Sequence, residues 1–220
     1  MAKPRMLVSW SSGKESAWAL HELRRENKYE IAGLMTTINS SADRVAMHAV
    51  RSGLLEAQAE AAGVAVWKIP LPQNCNDQQY AAAMARVIER AREGGIRAFA
   101  FGDLYLGRVR EYREAQLAGT GLAAVFPLWG RPSDALAAQM LKGGLRAVLT
   151  CVDPKQLPGR FAGRQFDHDL LRDLPEGVDP CGERGEFHSF VYDGPMLGHP
   201  ITVGVGEIVQ RDGFVFADVR

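Results

Sequence analysis

The sequence predicts an α/β protein: a doubly wound, Rossmann-like (HUP-type) parallel sheet with a smaller C-terminal α+β domain. Three features carry this expectation. Through residue 126, short apolar runs alternate with stretches of helical period, as strands joined by right-handed crossover helices do. The first apolar run ends in a Ser- and Gly-rich turn that opens a helix. Beyond "PLWGRP" (127–132) the alternation stops, and the chain closes on strand-like runs separated by turn residues.

Taken in order, the strand-like runs are "RMLVSW" (5–10), "IAGLMTTI" (31–38), "VAVWKIP" (64–70), "AFAFG" (98–102) and "AAVF" (123–126). Helical patterns lie between them at 15–26, 48–62, 77–93 and 108–118, with Gly63 and the pair Gly94–Gly95 as stop signals. A further helical stretch (133–142) and the apolar run "LRAVLTCV" (145–152) precede a Pro-, Gly- and Asp-rich region (153–185). "EFHSFVYDG", "ITVGVGEIVQ" and "GFVFADV" then read as three strands. Two domains are expected, residues 1–130 and 131–220. The late apolar strands are either an interface edge for a homo-oligomer or the small domain's own core.

Composition narrows the function classes. Lys plus Arg equal Asp plus Glu at 26 each, so no global charge favours nucleic acid or an anionic membrane as partner. No window approaches the ~20 apolar residues of a membrane span, and "MAKPRMLVSW" contains no signal-peptide core. The three cysteines are odd in number and far apart, which suits free thiols in a cytoplasmic protein better than disulfides or zinc.

"SWSSGKES" (9–16) is a strand–turn–helix anion site by construction: amides at a helix start, small residues, and hydroxyl and ammonium donors. It is not a Walker A loop, because Val8 stands where the first Gly belongs and Glu15 follows Lys14. No GxGxxG follows the first strand. The competing reading is a plain helix cap at Ser11 or Ser12. Two more segments bear polar chemistry. In a 3-2-1-4-5 strand order, Gly102–Asp103 at the end of the fourth strand faces the loop across the ligand crevice, where a carboxylate suits Mg²⁺ or substrate orientation. Arg108, Arg110 and Arg113 follow, either reaching an acidic ligand or forming a solvated face with Glu111 and Glu114. "DPCGERGEFHSF" (179–190) gathers Asp179, Glu183, Glu186 and His188 on a Gly-rich loop, either converging on a ligand or forming a solvated turn. His48 is a weaker candidate for substrate contact, and Trp10, Trp18, Met84 and Met140 read as core.

The opening loop resembles the SGGxDS loop of N-type ATP pyrophosphatases (PP-loop, adenine nucleotide α hydrolase-like), with Ser12 in place of a Gly and Glu15 in place of the Asp. Together with "GD…PLW" (102–129) and "CGERGEF" (181–187), almost the whole chain resembles the diphthine–ammonia ligase family. The resemblance implies an ATP-dependent, adenylate-forming ligase that cleaves ATP to AMP and pyrophosphate and amidates a carboxylate with ammonia. By the same carry-over, Ser9, Ser11, Ser12, Gly13, Lys14 and Ser16 cradle phosphates, Gly33, Met35 and Thr36 meet adenine through the backbone, and Gly102 borders the crevice. Lys14, Asp103, Glu183, Glu186 and His188 line the reaction site, with Asp103 as the Mg²⁺ ligand and His188 titrating where it can shuttle protons. The carboxylate is protein-borne or small. A nucleotide sensor without ligase chemistry is the alternative, and a tRNA-modifying activity is disfavoured by the neutral charge and the cysteine pattern.

Overall fold

The computed structural model describes residues 2–41, 44–45 and 50–220. His48 lies outside the described residues. Ten strands and six helices of four residues or more are described: β1 (Arg5–Ser9), α1 (Lys14–Glu26), β2 (Glu30–Asn39), β3 (Arg44–Val45), α2 (Ser52–Ala61), β4 (Val66–Leu71), α3 (Asp77–Glu93), β5 (Ile96–Ala100), α4 (Gly107–Leu117) and β6 (Ala123–Val125), followed by α5 (Ser133–Lys142), β7 (Arg146–Val152), α6 (His168–Asp173), β8 (Phe187–Asp193), β9 (Val205–Arg211) and β10 (Phe214–Val219).

The first sheet runs β4-β2-β1-β5-β6 in parallel, with the short β3 added antiparallel to the end of β2. Without β3, this is the 3-2-1-4-5 order expected from the sequence. β1 and β5 are therefore neighbours, and the crossover direction reverses between them, which opens a crevice at their C-terminal ends. Period-2 alternation sends β1 side chains to two different cores. Met6 and Val8 join α1 and the C-terminal strands on one face, whereas Leu7 packs with Phe99, Met84, Val87 and Ile88 beneath α3 on the other. Helix α3 starts where the pattern placed it, because Asn76 and Gln79 form a reciprocal capping box.

The second sheet is antiparallel, in the order β8-β7-β10-β9. It shares one continuous core with α1, from Trp18 and Leu20 through Leu149, Phe161 and Phe190. β8 is also tied directly to the loop that opens α1: the Val191 amide donates to Ser12 O (3.0 Å), and Gln58 Nε2 donates to both Ser12 O and Val191 O. The Pro/Gly/Asp-rich region is more ordered than its composition suggested. It contains α6, a six-residue helix held by the Asp167 side chain accepting from the Leu170 amide (2.7 Å), too short to leave a periodic signal. Cys75, Cys151 and Cys181 are free. No helix among the described residues is long and apolar enough to cross a membrane.

Candidate active site

A cavity of about 350 Å³ opens at the crevice between β1 and β5. Gly102 determines how closely its walls approach. A Cβ there would lie 2.9 Å from the Glu15 carbonyl carbon and 3.1 Å from Ser16 N, so only glycine lets the end of β5 abut the first turn of α1. The loop wall contributes Ser9, Ser11, Glu15 and Ser16. Its hydroxyls form a local set, with Ser11 Oγ 3.1 Å from Ser16 Oγ and Ser16 Oγ donating to Gly13 O (2.9 Å). An apolar wall follows, from Met35, Thr36, Thr37 and Val45 through Ile69 and Phe101 to Tyr80 and Met84 on α3. The remaining wall carries Asp103, Arg113, Gly182, Glu183, Gly185, Phe187 and His188.

The structure thus brings Ser9, Ser11, Ser16, Met35, Thr36, Gly102, Asp103, Glu183 and His188 to one cavity. Other residues expected at the site are elsewhere. Lys14 is buried and does not itself line the cavity, although its ammonium is held by residues that do. It donates to Cys181 O, pairs with Glu15 (2.6 Å) and sits 4.6 Å from the centre of the Phe187 ring. A side chain at the first position of α1 is directed back over the loop, onto the C-terminal strands packed there. Glu186 is likewise internal: its carboxylate accepts from the Asp179 amide (3.0 Å), the Arg184 amide (3.0 Å) and Arg184 Nε (3.1 Å), closing the 179–186 turn. Ser12 and Gly13 do not line the cavity either. Ser12 adopts φ 67°, the left-handed conformation that the Gly at this place in the resembling loop would take without strain, and its carbonyl faces β8. Gly33 packs against Leu7 and Ala65 O inside the sheet.

Electrostatics revise a further expectation. Burial, with the Lys14 charge as a smaller cause, holds the His188 imidazole at about 4, so it is neutral near pH 7 and does not shuttle protons there. Glu183 moves the other way. Burial pushes its carboxyl up to about 7, against a hydrogen bond from the Leu104 amide (2.8 Å), and the charges of Glu15 and Asp103 add to the rise. Cys181 is buried with its thiol pushed up, which leaves it a packing residue.

The charges of Glu15 and Asp103 bear on Glu183, while Glu15 Oε1 is paired with Lys14 (2.6 Å) and Asp103 Oδ2 lies 3.5 Å from Arg113 Nε, too far for a good hydrogen bond. Among the described residues no three His, Cys, Asp or Glu side chains gather tightly enough to hold a metal by themselves. Sequence reasoning passed over Tyr80 and Phe101 as cavity residues, and it read Met84 as core. Tyr80 and Met84 are four apart on α3, so they share the helix face that reaches the crevice.

Comparison with known families agrees with this architecture. The profile described as "Diphthamide synthase N-terminal domain" matches residues 4–122, and that described as "Diphthamide synthase C-terminal domain" matches residues 133–217. The chain belongs to the diphthamide synthase family. Its similarity to proteins named diphthine–ammonia ligase reaches 35% identity for that of Danio rerio, 31% for that of Homo sapiens and 30% for that of Rattus norvegicus. Each match covers 97 residues, 42% of this chain, and 38%, 36% and 36% of the respective relatives, so the chain spans well under half the length of these relatives in each alignment. Within the diphthamide synthase family assignment, the first match carries the serine loop and Asp103, and the second carries Glu183 and His188.

Proposed function

We propose that this protein is an ATP-dependent ligase of the diphthine–ammonia ligase type, converting a carboxylate to an amide with ammonia while ATP becomes AMP and pyrophosphate. The observation that carries the reading is the cavity at the β1–β5 crossover, with a serine loop on one wall and Asp103 and Glu183 on another. The names of the relatives support the same reaction.

On this reading the triphosphate lies along the loop, where the hydroxyls of Ser9, Ser11 and Ser16 and the start of α1 face negative charge. Adenine occupies the apolar wall. Asp103 holds Mg²⁺, which when bound neutralises charge on the phosphate oxygens. A carboxylate oxygen of the substrate attacks the α-phosphorus, and the bond to the bridging α–β oxygen breaks as pyrophosphate leaves. Ammonia then attacks the acyl carbon, and the bond to the AMP oxygen breaks. The nitrogen must lose a proton in that step. Glu183, with its carboxyl near 7, is the acceptor on the wall. No protein nucleophile is needed. Lys14 and Glu186 act through structure, and His188 lines the cavity as a neutral imidazole. The setting implied is cytoplasmic, where ATP and ammonia are both supplied.

The test is product analysis with ATP labelled at the α- and γ-phosphates, with and without ammonium and a panel of carboxylates. Labelled AMP and pyrophosphate are expected. ADP and phosphate would overturn the reading. Binding without cleavage would favour a nucleotide sensor, the alternative to which the inward turn of Lys14 lends weight.

A further inference from the structure

Arg113 takes no part in the reaction as described, yet it stands on the cavity wall. It projects from α4, and its guanidinium lies 4.8 Å from the centre of the Phe101 ring. Stacking on an aromatic face leaves the N–H edge of a guanidinium free for an in-plane acceptor. Its Nε is 3.5 Å from Asp103 Oδ2, too long and misaligned for a hydrogen bond, and both atoms are buried without any hydrogen-bond partner. Buried polar atoms in that state mark a place where a ligand atom completes the bonding.

The charges on the wall indicate which ligand. Glu15, Asp103 and Glu183 all line the cavity, and a substrate carboxylate entering beside them would be repelled. The Lys14 ammonium does not line the cavity and is committed to Cys181 O and Glu15, and the His188 imidazole is neutral near pH 7. Among the described residues lining the cavity, Arg113 is the one permanent cation. The phosphates have the serine hydroxyls and the α1 N-terminus. The acid to be activated has no other positive partner.

We propose that Arg113 receives the carboxylate of the acid that is activated, holding it on the β5–α4 side of the cavity while the α-phosphate lies on the β1–α1 side. This rests on the ligase reading above. A planar guanidinium suits a carboxylate because it presents N–H donors in one plane at the spacing of the two oxygens. The neighbouring Asp103 carboxylate then keeps the guanidinium oriented before the acid arrives.

The Nε–H resonance of Arg113, assigned from its loss in Arg113→Lys and Arg113→Gln, reports on the site without turnover. Full-length protein is titrated with Mg²⁺ and a non-hydrolysable ATP analogue, then with acetate as the minimal carboxylate, with chloride at matched ionic strength as control. The proposal predicts that, beyond any shift that Mg²⁺ and the analogue give through the neighbouring Asp103, acetate gives a further saturable shift that chloride does not. A shift given fully by the analogue alone would make Arg113 a phosphate ligand and overturn the proposal; so would no response to acetate. Failure of the ligase reading is distinct: labelled ATP would then give no AMP and pyrophosphate in product analysis, whatever the Arg113 resonance does. In turnover, Arg113→Gln should raise KM for the acid about 10- to 100-fold, the loss of a charge-assisted hydrogen bond. KM for ATP should hold, and Arg113→Lys should recover part of the loss. An equal rise in both KM values would also overturn the proposal.

Discussion

In the loop 9–16 the cation turns inward and the carboxylate outward: Lys14 is buried against the C-terminal strands, whereas Glu15, one residue later, lines the cavity. In the loop 179–188 two glutamates three residues apart divide the same way. Glu186 braces its own turn with three hydrogen bonds, and Glu183 faces the cavity with its carboxyl pushed up to about 7. Each loop thus has one buried charge held by internal contacts and one that lines the cavity. The pairing is reciprocal, because the buried cation of the first loop is held by a carbonyl of the second, Cys181 O. Neither loop has its shape alone.

That division can be broken most sharply at Glu183. Replacing it with Gln should lower kcat about 10²- to 10⁴-fold, the range for a lost general base, with ATP affinity unchanged. The same variant carries a stability signature. The folded carboxyl titrates near 7, above the ordinary glutamate range, so the protonated form is the one the fold favours. Its contribution is complete below about pH 4 and is lost as pH rises through about 7. The Gln variant, which mimics the protonated form, should therefore gain on the native protein in thermal melts as pH rises from about 4 to about 7. An equal Tm difference at both ends would mean that Glu183 is not poised.

Lys14→Met tests the inward member of the first loop. Removing the cation from a buried pair should cost about 3 kcal/mol in urea denaturation. ATP affinity should suffer less than stability does. Collapse of ATP binding with unchanged stability would return Lys14 to the phosphates.

Glu186→Gln is the matching change in the second loop. The amide keeps one acceptor oxygen of the two, and the expected cost is about 1–2 kcal/mol. The folded fraction should keep its kcat, which a catalytic Glu186 could not do.

The smallest effect is expected at Asp218 on β10, which accepts from Arg44 Nη2 (3.0 Å) and Arg51 Nη2 (2.6 Å) and so ties the second sheet to the first. The hydrogen bond from Arg51 is the main reason its carboxyl is held at about 2. Asp218→Asn should cost roughly 0.5–1 kcal/mol near pH 7. The bridge's contribution is lost as pH falls from about 4 toward 2, so the native and variant melts should converge there. A difference that persists at low pH would assign the effect to packing instead.

The fold was legible because its cues are local and repeat. Alternation fixed the strands, helical period placed α3 over 77–93, and the strand order predicted that Gly102 and the serine loop would meet. Side-chain direction was not legible in the same way. "GKE" and "GERGE" show which charges are present, but whether Lys14 or Glu15 faces the cavity depends on Phe187 and Cys181, more than 160 residues further along. The lowered His188 imidazole was not legible for the same reason: its burial comes from the packing of β8 on the loop, which no spacing reports. Ser12 shows a subtler loss. Its φ of 67° is held by hydrogen bonds to its carbonyl from the Val191 amide and the Gln58 side chain, so a residue unfavoured by local preference is fixed by tertiary partners.

The central claim is that the cavity joins a carboxylate to the α-phosphate of ATP before ammonia enters. The most direct measurement supplies the carboxylate substrate labelled with ¹⁸O in both oxygens and reads the mass of the AMP released. The account predicts one ¹⁸O atom in the phosphate of AMP, carried over when the acyl–oxygen bond breaks. AMP without label, or label appearing in inorganic phosphate, would contradict it.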